Sequence, residues 1–265
     1  MNHLKVFPST RCGGRPDALR IVFMALMLCL VAFAGRAAAD DELRSKTRAA
    51  MLELDNTIRL HPSDAGAYHE RGVLHFKLGE MAESVRDFDR VIELAPRRKP
   101  EYWQRGISLY YAGRYEEGRK QFELHRTVNP DDVENAAWHY LCVAKTQGPA
   151  EARKLLIPIH GDARIPMMMI LALYAGQASS DDVLREAAQG SPPPDELRSR
   201  LFYAHLYLGL FAAANGDPAA EREHIRKAAL DFSQSHYMGD VARVHWAMLT
   251  ARDAGPGMDH PPGLR

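Results

Sequence analysis

The stretches AYHERGVLHFKLGEMAESVRDFDRVIELAP (67–96) and EYWQRGISLYYAGRYEEGRKQFELHRTVNP (101–130) decide how this chain folds. Laid one over the other, they match Tyr68 with Tyr102, Arg71 with Arg105, Gly72 with Gly106, Gly79 with Gly113 and Phe88 with Phe122, each pair 34 residues apart. Pro62, Pro96 and Pro130 keep the same interval. A fixed period of this length marks a helix–turn–helix unit repeated along the chain, in which each unit buries its apolar face only against its neighbours.

Each recurring residue has a physical role at that spacing. Gly72 and Gly106 remove a side chain where two helices approach closely. Gly79 and Gly113 fall between the helices of a pair, where a left-handed backbone is needed. Phe88 and Phe122 fill the space between paired helices, and Pro96 and Pro130 end the second helix before the next unit. Together these residues resemble the tetratricopeptide (TPR) pattern. That resemblance implies an all-α solenoid of antiparallel helix pairs that binds other proteins.

The pattern weakens outward. Residues 41–62, with Ala50, Leu54 and Thr57, match the second helix of a preceding unit. Residues 133–156 read as a third repeat in which Ala152 and Leu156 fit but Tyr140 replaces the small residue. Residues 166–176 and 179–189 form another predicted pair, with Ser179-Ser180-Asp181 capping the second helix. A last pair spans 197–215 and 218–232, with Gly209 packing and Gly216 turning. Residues 237–252 read as a helix that covers the open end. Ser191-Pro192-Pro193-Pro194 is the expected hinge. The reading assigns 40–252 to the solenoid, with 65–98 and 99–132 its best repeats, and 253–265, rich in proline and glycine, to a disordered tail.

Residues 1–39 read as a secretory signal peptide. Lys5, Arg11, Arg15 and Arg20 precede an apolar run from Ile21 to Ala34, and Ala37 and Ala39 fit an A-x-A cleavage site before Asp40. The run has 14 residues, short of the roughly 20 of a spanning helix, so no stable membrane span is expected after cleavage. Leu26-Met27-Leu28 before Cys29 lacks the small residue that a lipid anchor wants. The whole chain has a formal net charge of zero; without residues 1–39 it keeps 29 basic and 33 acidic side chains, a net of −4. That balance points away from nucleic acid. Only Cys142 of the three cysteines remains, so no internal disulfide supports the fold.

The chain downstream of the leader is also similar to the NlpI group of envelope TPR adaptors. The similarity lies in ELDNTIRLHPSDAGAYHERGVLHFKLG (53–79), in Trp138-His139-Tyr140-Leu141, and in FYAHLYLGLFAAANGD (202–217). It implies a periplasmic, non-enzymatic scaffold that dimerises, needs no cofactor and brings proteases or cell-wall hydrolases to their substrates.

First helices of TPR pairs line the concave face. The inward positions are His69, Val73, Phe76 and Lys77, then Trp103, Ile107, Tyr110 and Tyr111, then Ala137, Leu141 and Lys145. Of these, His69, Phe76, Lys77, Trp103, Tyr110, Tyr111 and Lys145 form the expected partner-binding groove, its aromatics acting as anchors; the alternative is that they pack between neighbouring helices or against the capping helix. Arg71 and Arg105 are read as ion-pair partners of acids such as Glu70, Glu101, Asp87 or Glu93. Two patterns admit an enzyme or metal reading. His236 and Asp240 lie four apart with His245 nearby, but two ligands without a third or an H-E-x-x-H are a weak metal signal. Cys142 lies three residues from His139 without an orienting third group, so a buried free cysteine is the preferred reading. Met167-Met168-Met169 reads as core filler. A homodimerising assembly module and a Cys/His- or metal-dependent hydrolase stand as the alternatives to a scaffold.

Overall fold

The computed structural model describes Glu42 and residues 44–253; the leader at 1–39 and the tail from 254 onward lie outside them. The chain divides into two units, Met1–Ala50 and Met51–Arg265. In the first, residues 44–50 are helical. The second carries the repeats and the candidate site, and its described residues contain helices and turns but no strand.

Within the second unit, residues 51–60 are helical. Helices α1 (Ala65–Leu78) and α2 (Met81–Leu94) form the first full pair. Asp64 caps α1 by accepting from the backbone N–H groups of Gly66 and Ala67 at 2.9 and 3.1 Å, which satisfies donors that a helix start leaves open. Gly79 ends α1 with φ of 81°; its N–H reaches Phe76 O, and that of Glu80 reaches His75 O, both at 2.9 Å. A residue with Cβ is strained at that φ, which is why glycine recurs here. Gly113 repeats the device after α3 (Trp103–Tyr111), before α4 (Tyr115–His125).

The paired glycine and phenylalanine sit as the repeat demands. A Cβ on Gly72 would lie 3.1 Å from Phe88 Cε1, and one on Gly106 only 2.6 Å from Phe122 Cζ. Both rings are buried. Proline's part differs between the repeats. Helix α2 ends two residues before Pro96, which starts a 3-10 turn, Pro96–Glu101. Helix α4 already stops at His125, so Pro130 is not what ends it. There His125 Nδ1 contacts Pro100 O at 2.8 Å, and Gln121 donates to Lys99 O at 2.9 Å.

The third unit breaks the pattern. Helix α5 (Val133–Gln147) carries Tyr140 where the earlier repeats have glycine, and this ring is fully buried against Tyr174 and Phe211. The ring thus turns towards the later helices, while Ala152 of the second helix is fully buried. Helix α6 (Pro149–Lys154) ends before Leu156, which was expected to lie within it, and the chain continues without regular structure to the next pair.

That next pair is α7 (Met167–Tyr174) and α8 (Ser180–Ala188), the latter started by a capping box between Ser179 and Asp182. Met167 is buried, as core filler should be, while Met168 is 39% exposed. Pro194 is the first residue of α9 (Pro194–Asn215), so the proline run ends in the helix it was expected to precede. The middle of α9 is buried on all sides, as expected of a helix at the centre of a core. On Gly209 a Cβ would meet Ile225 Cγ1 at 2.7 Å, which brings α9 against α10 (Pro218–Arg226). A π turn, Lys227–Asp231, follows, and α11 (Tyr237–Asp253) completes the described chain. Asp253, assigned from sequence to the tail, ends α11 and pairs with Arg222 at 2.5 Å. The fold is an all-α, TPR-type solenoid of antiparallel helix pairs with a C-terminal helix.

Candidate functional site

Of the seven residues expected to line an open groove, Phe76, Lys77, Trp103 and Tyr111 share one face, and α11 lies across it. Tyr237, at the start of α11, stacks on Phe76 with ring centroids 5.1 Å apart and meets the edge of Trp103 at 5.2 Å. Lys77 Nζ lies 3.4 Å from an Asp240 carboxylate oxygen. His245 sits between two elements: Nδ1 is 2.9 Å from Tyr111 Oη and Nε2 is 2.9 Å from Glu221 Oε1. The Glu221 carboxylate accepts from Nε2–H, which leaves Nδ1 of that tautomer to accept a hydrogen bond from the Tyr111 hydroxyl. Burial alone would raise the Glu221 carboxyl, but the hydrogen bond and charge of His245 outweigh it and hold it below its usual range. Burial pushes the Tyr111 hydroxyl well above its ordinary value.

The open groove expected from sequence is therefore corrected at its centre. Phe76 is 0% exposed and Tyr110 5%; Tyr110 packs edge-on against Trp138 inside the core. Trp103 and Tyr111 are half-buried. His69 stands apart from α11, between Phe88 and Tyr102, with both ring distances 5.8 Å. Lys77 and Lys145 remain exposed. The cause is the path of α11: it was expected to cover the end of the array, and it instead packs on both α10 and α1.

The remaining candidates resolve into structural contacts. Arg71 pairs with Asp87 at 2.6 Å and Asp55 at 2.7 Å, and Arg105 with Asp89 at 2.6 Å. This is the ion-pair reading, with Asp87 as expected but Asp55 and Asp89 in place of Glu70, Glu101 and Glu93. His236 stacks on Tyr203, and Asp240 pairs with Arg243 and Lys77. Among the described residues no three His, Cys, Asp or Glu side chains are grouped as a metal site requires. Cys142 is fully buried and burial pushes its thiol up, opposite to the shift that activates a nucleophile. His139 Nε2 lies 3.5 Å from Glu123, and burial lowers its pKa.

Two features carried no sequence signal. Arg164 pairs with Asp132, Glu134 and Asp162 at 2.6–2.7 Å, pinning the irregular segment after α6 to the start of α5. His205 on α9 and His224 on α10 meet Nδ1 to Nδ1 at 2.9 Å. Nineteen residues separate these two histidines, an interval that follows no helical spacing. A half-open cleft of about 290 Å³ lies between Arg119, Arg126, His139 and Leu155 beside the shortened α6.

No family model matches the sequence, and no curated protein matches it. Among solved structures, the chain is similar to a tetratricopeptide repeat protein from Parabacteroides merdae, with a TM-score of 0.45 and 14% identity, over 79% of this chain and 80% of that one. Among the described residues no helix is long and apolar enough to cross a membrane.

Proposed function

We propose that this protein is an exported, non-enzymatic TPR scaffold whose concave face holds helical segments of other proteins. One observation carries the reading: that face already holds a helix, α11, through an aromatic wall, an ion pair and a histidine bridge. A surface that seats one helix offers the shape and chemistry to seat another. Export rests on the leader pattern at 1–39. The resemblance to the NlpI group supports envelope proteases and cell-wall hydrolases as the partners brought together. A scaffold of this kind acts by raising the effective concentration of one partner near another.

The test places a photo-crosslinking residue in the full chain at Lys77, exposed beside Asp240 of α11, or at Lys145, an exposed residue of the expected groove, and at Lys120 on α4 as an exposed control. Crosslinked envelope proteins from the first two positions and not from the control support the reading. Crosslinks from Lys120 alone, or from none, refute it. N-terminal sequencing of the protein recovered from the envelope fraction should begin near Asp40.

A further inference from the structure

Helix α11 hangs on a short connection, residues 232–236, that is stacked onto α9 at both ends. Phe232 lies over His205, with centroids 5.3 Å apart and planes 9° apart. His236 lies over Tyr203, at 5.8 Å and 15°. Beneath Phe232, His205 meets His224 Nδ1 to Nδ1 at 2.9 Å, next to the π turn. Such a contact needs one nitrogen to donate and the other to accept. It survives one proton on the pair and fails when both rings are charged, because two N–H groups then face each other.

We propose that the His205–His224 contact is an acid-sensitive latch that keeps α11 on the concave face and releases it when both rings are protonated. The proposal rests on the reading of that face as the binding face, and it names how access to it is controlled. The charged groups around the pair do not absorb the second proton. Glu223 is tied to Lys227 at 2.7 Å and Asp231 to Arg226 at 2.9 Å, while Asp217 caps α10 through Ala220 N. His205 itself is 4% exposed and His224 is half-buried, so solvent screens the two rings only in part.

The direction of the pH effect follows from the histidine values. Burial first, then the neighbouring His224, lowers His205 from 6.5 to about 4; burial also lowers His224. The closed state therefore binds the proton less tightly than an opened one. Its stability is whole above about pH 6.5 and is lost progressively as pH falls towards about 4. From the His205 values alone, opening at about pH 5 is favoured by about 30-fold over neutral pH.

Amide hydrogen exchange of the full chain tests this, with opening equilibria obtained by dividing out the intrinsic exchange rate at each pH. The Tyr237–Asp253 amides should open about 30-fold more at about pH 5 than at about pH 7.5, while α2 and α4 change little. His205→Asn places a neutral carbonyl where it can accept from His224 Nδ1–H in either charge state, so the acid step should shrink to what His224 alone contributes. If that variant does not fold, His224→Asn serves the same purpose. The proposal is overturned if wild-type α11 opens equally at both pH values, if the variant opens as wild type does, or if all helices loosen together. The readout needs no partner, so its failure leaves the scaffold reading standing, and failure of the crosslinking leaves the latch standing.

Discussion

Gly106→Ala should destabilise the protein although it replaces the poorest ordinary helix former with the best. The propensity gain is up to about 1 kcal/mol in a helix interior. Against it stands a Cβ that would lie 2.6 Å from Phe122 Cζ, 2.8 Å from Cε1 and 3.1 Å from Cε2. The ring must retreat by most of an ångström to reach ordinary contact, and it cannot do so freely. Phe122 is 1% exposed and backed by the stacked Trp138 at 6.3 Å. Overpacking costs about 1–3 kcal/mol, and so close an approach belongs in the upper part, about 2–3 kcal/mol, so the net loss should be about 1–2 kcal/mol and the Tm should fall by about 2–8 °C. Gly72→Ala is the internal control, since its Cβ would meet Phe88 at 3.1 and 3.3 Å, a few tenths of an ångström from comfort. That variant should be close to neutral. Urea unfolding, followed by far-ultraviolet circular dichroism and tryptophan fluorescence, measures both. Adding Phe122→Leu should recover part of the Gly106→Ala loss. If Gly106→Ala is as stable as wild type, or Gly72→Ala loses more, close helix approach is not what the glycine provides.

Arg71→Ala should cost about 2–4 kcal/mol, because Asp87 is 4% exposed and would keep a buried charge without its principal partner; urea titration reads it, and a smaller loss at the more exposed Asp89 is expected from Arg105→Ala. Cys142 should be inert to a thiol reagent in the native state and react along the same urea transition as the circular dichroism; prompt native reactivity would contradict its burial. Asp64→Ala should lose about 1 kcal/mol by uncapping α1, and Asp64→Asn should lose far less.

The two strong repeats were legible because their contacts are local. Gly72 meets Phe88 and Gly106 meets Phe122 within one helix pair, so the residues that touch recur at a fixed interval in the chain. Caps and turns at Gly79, Gly113, Ser179 and Gly216 were readable for the same reason. Tyr140 announced that the third unit would depart from the pattern, but not that α6 would stop before Leu156 or that the ring would lie against Tyr174 and Phe211. The candidate site was half legible. The helical period put Phe76, Lys77, Trp103 and Tyr111 on one face, and it could not say what that face meets.

The sequence by itself determined the class of fold, the period, the two strong helix pairs and the face that Phe76, Trp103 and Tyr111 share, because these follow from contacts within a few tens of residues. The tertiary structure alone decided that α11 returns to the first repeats, joining Tyr111 to His245 across 134 residues, and that His205 faces His224. The rotation from one helix pair to the next is small and accumulates along the array. The irregular third unit enters that sum, and no residue spacing records the total.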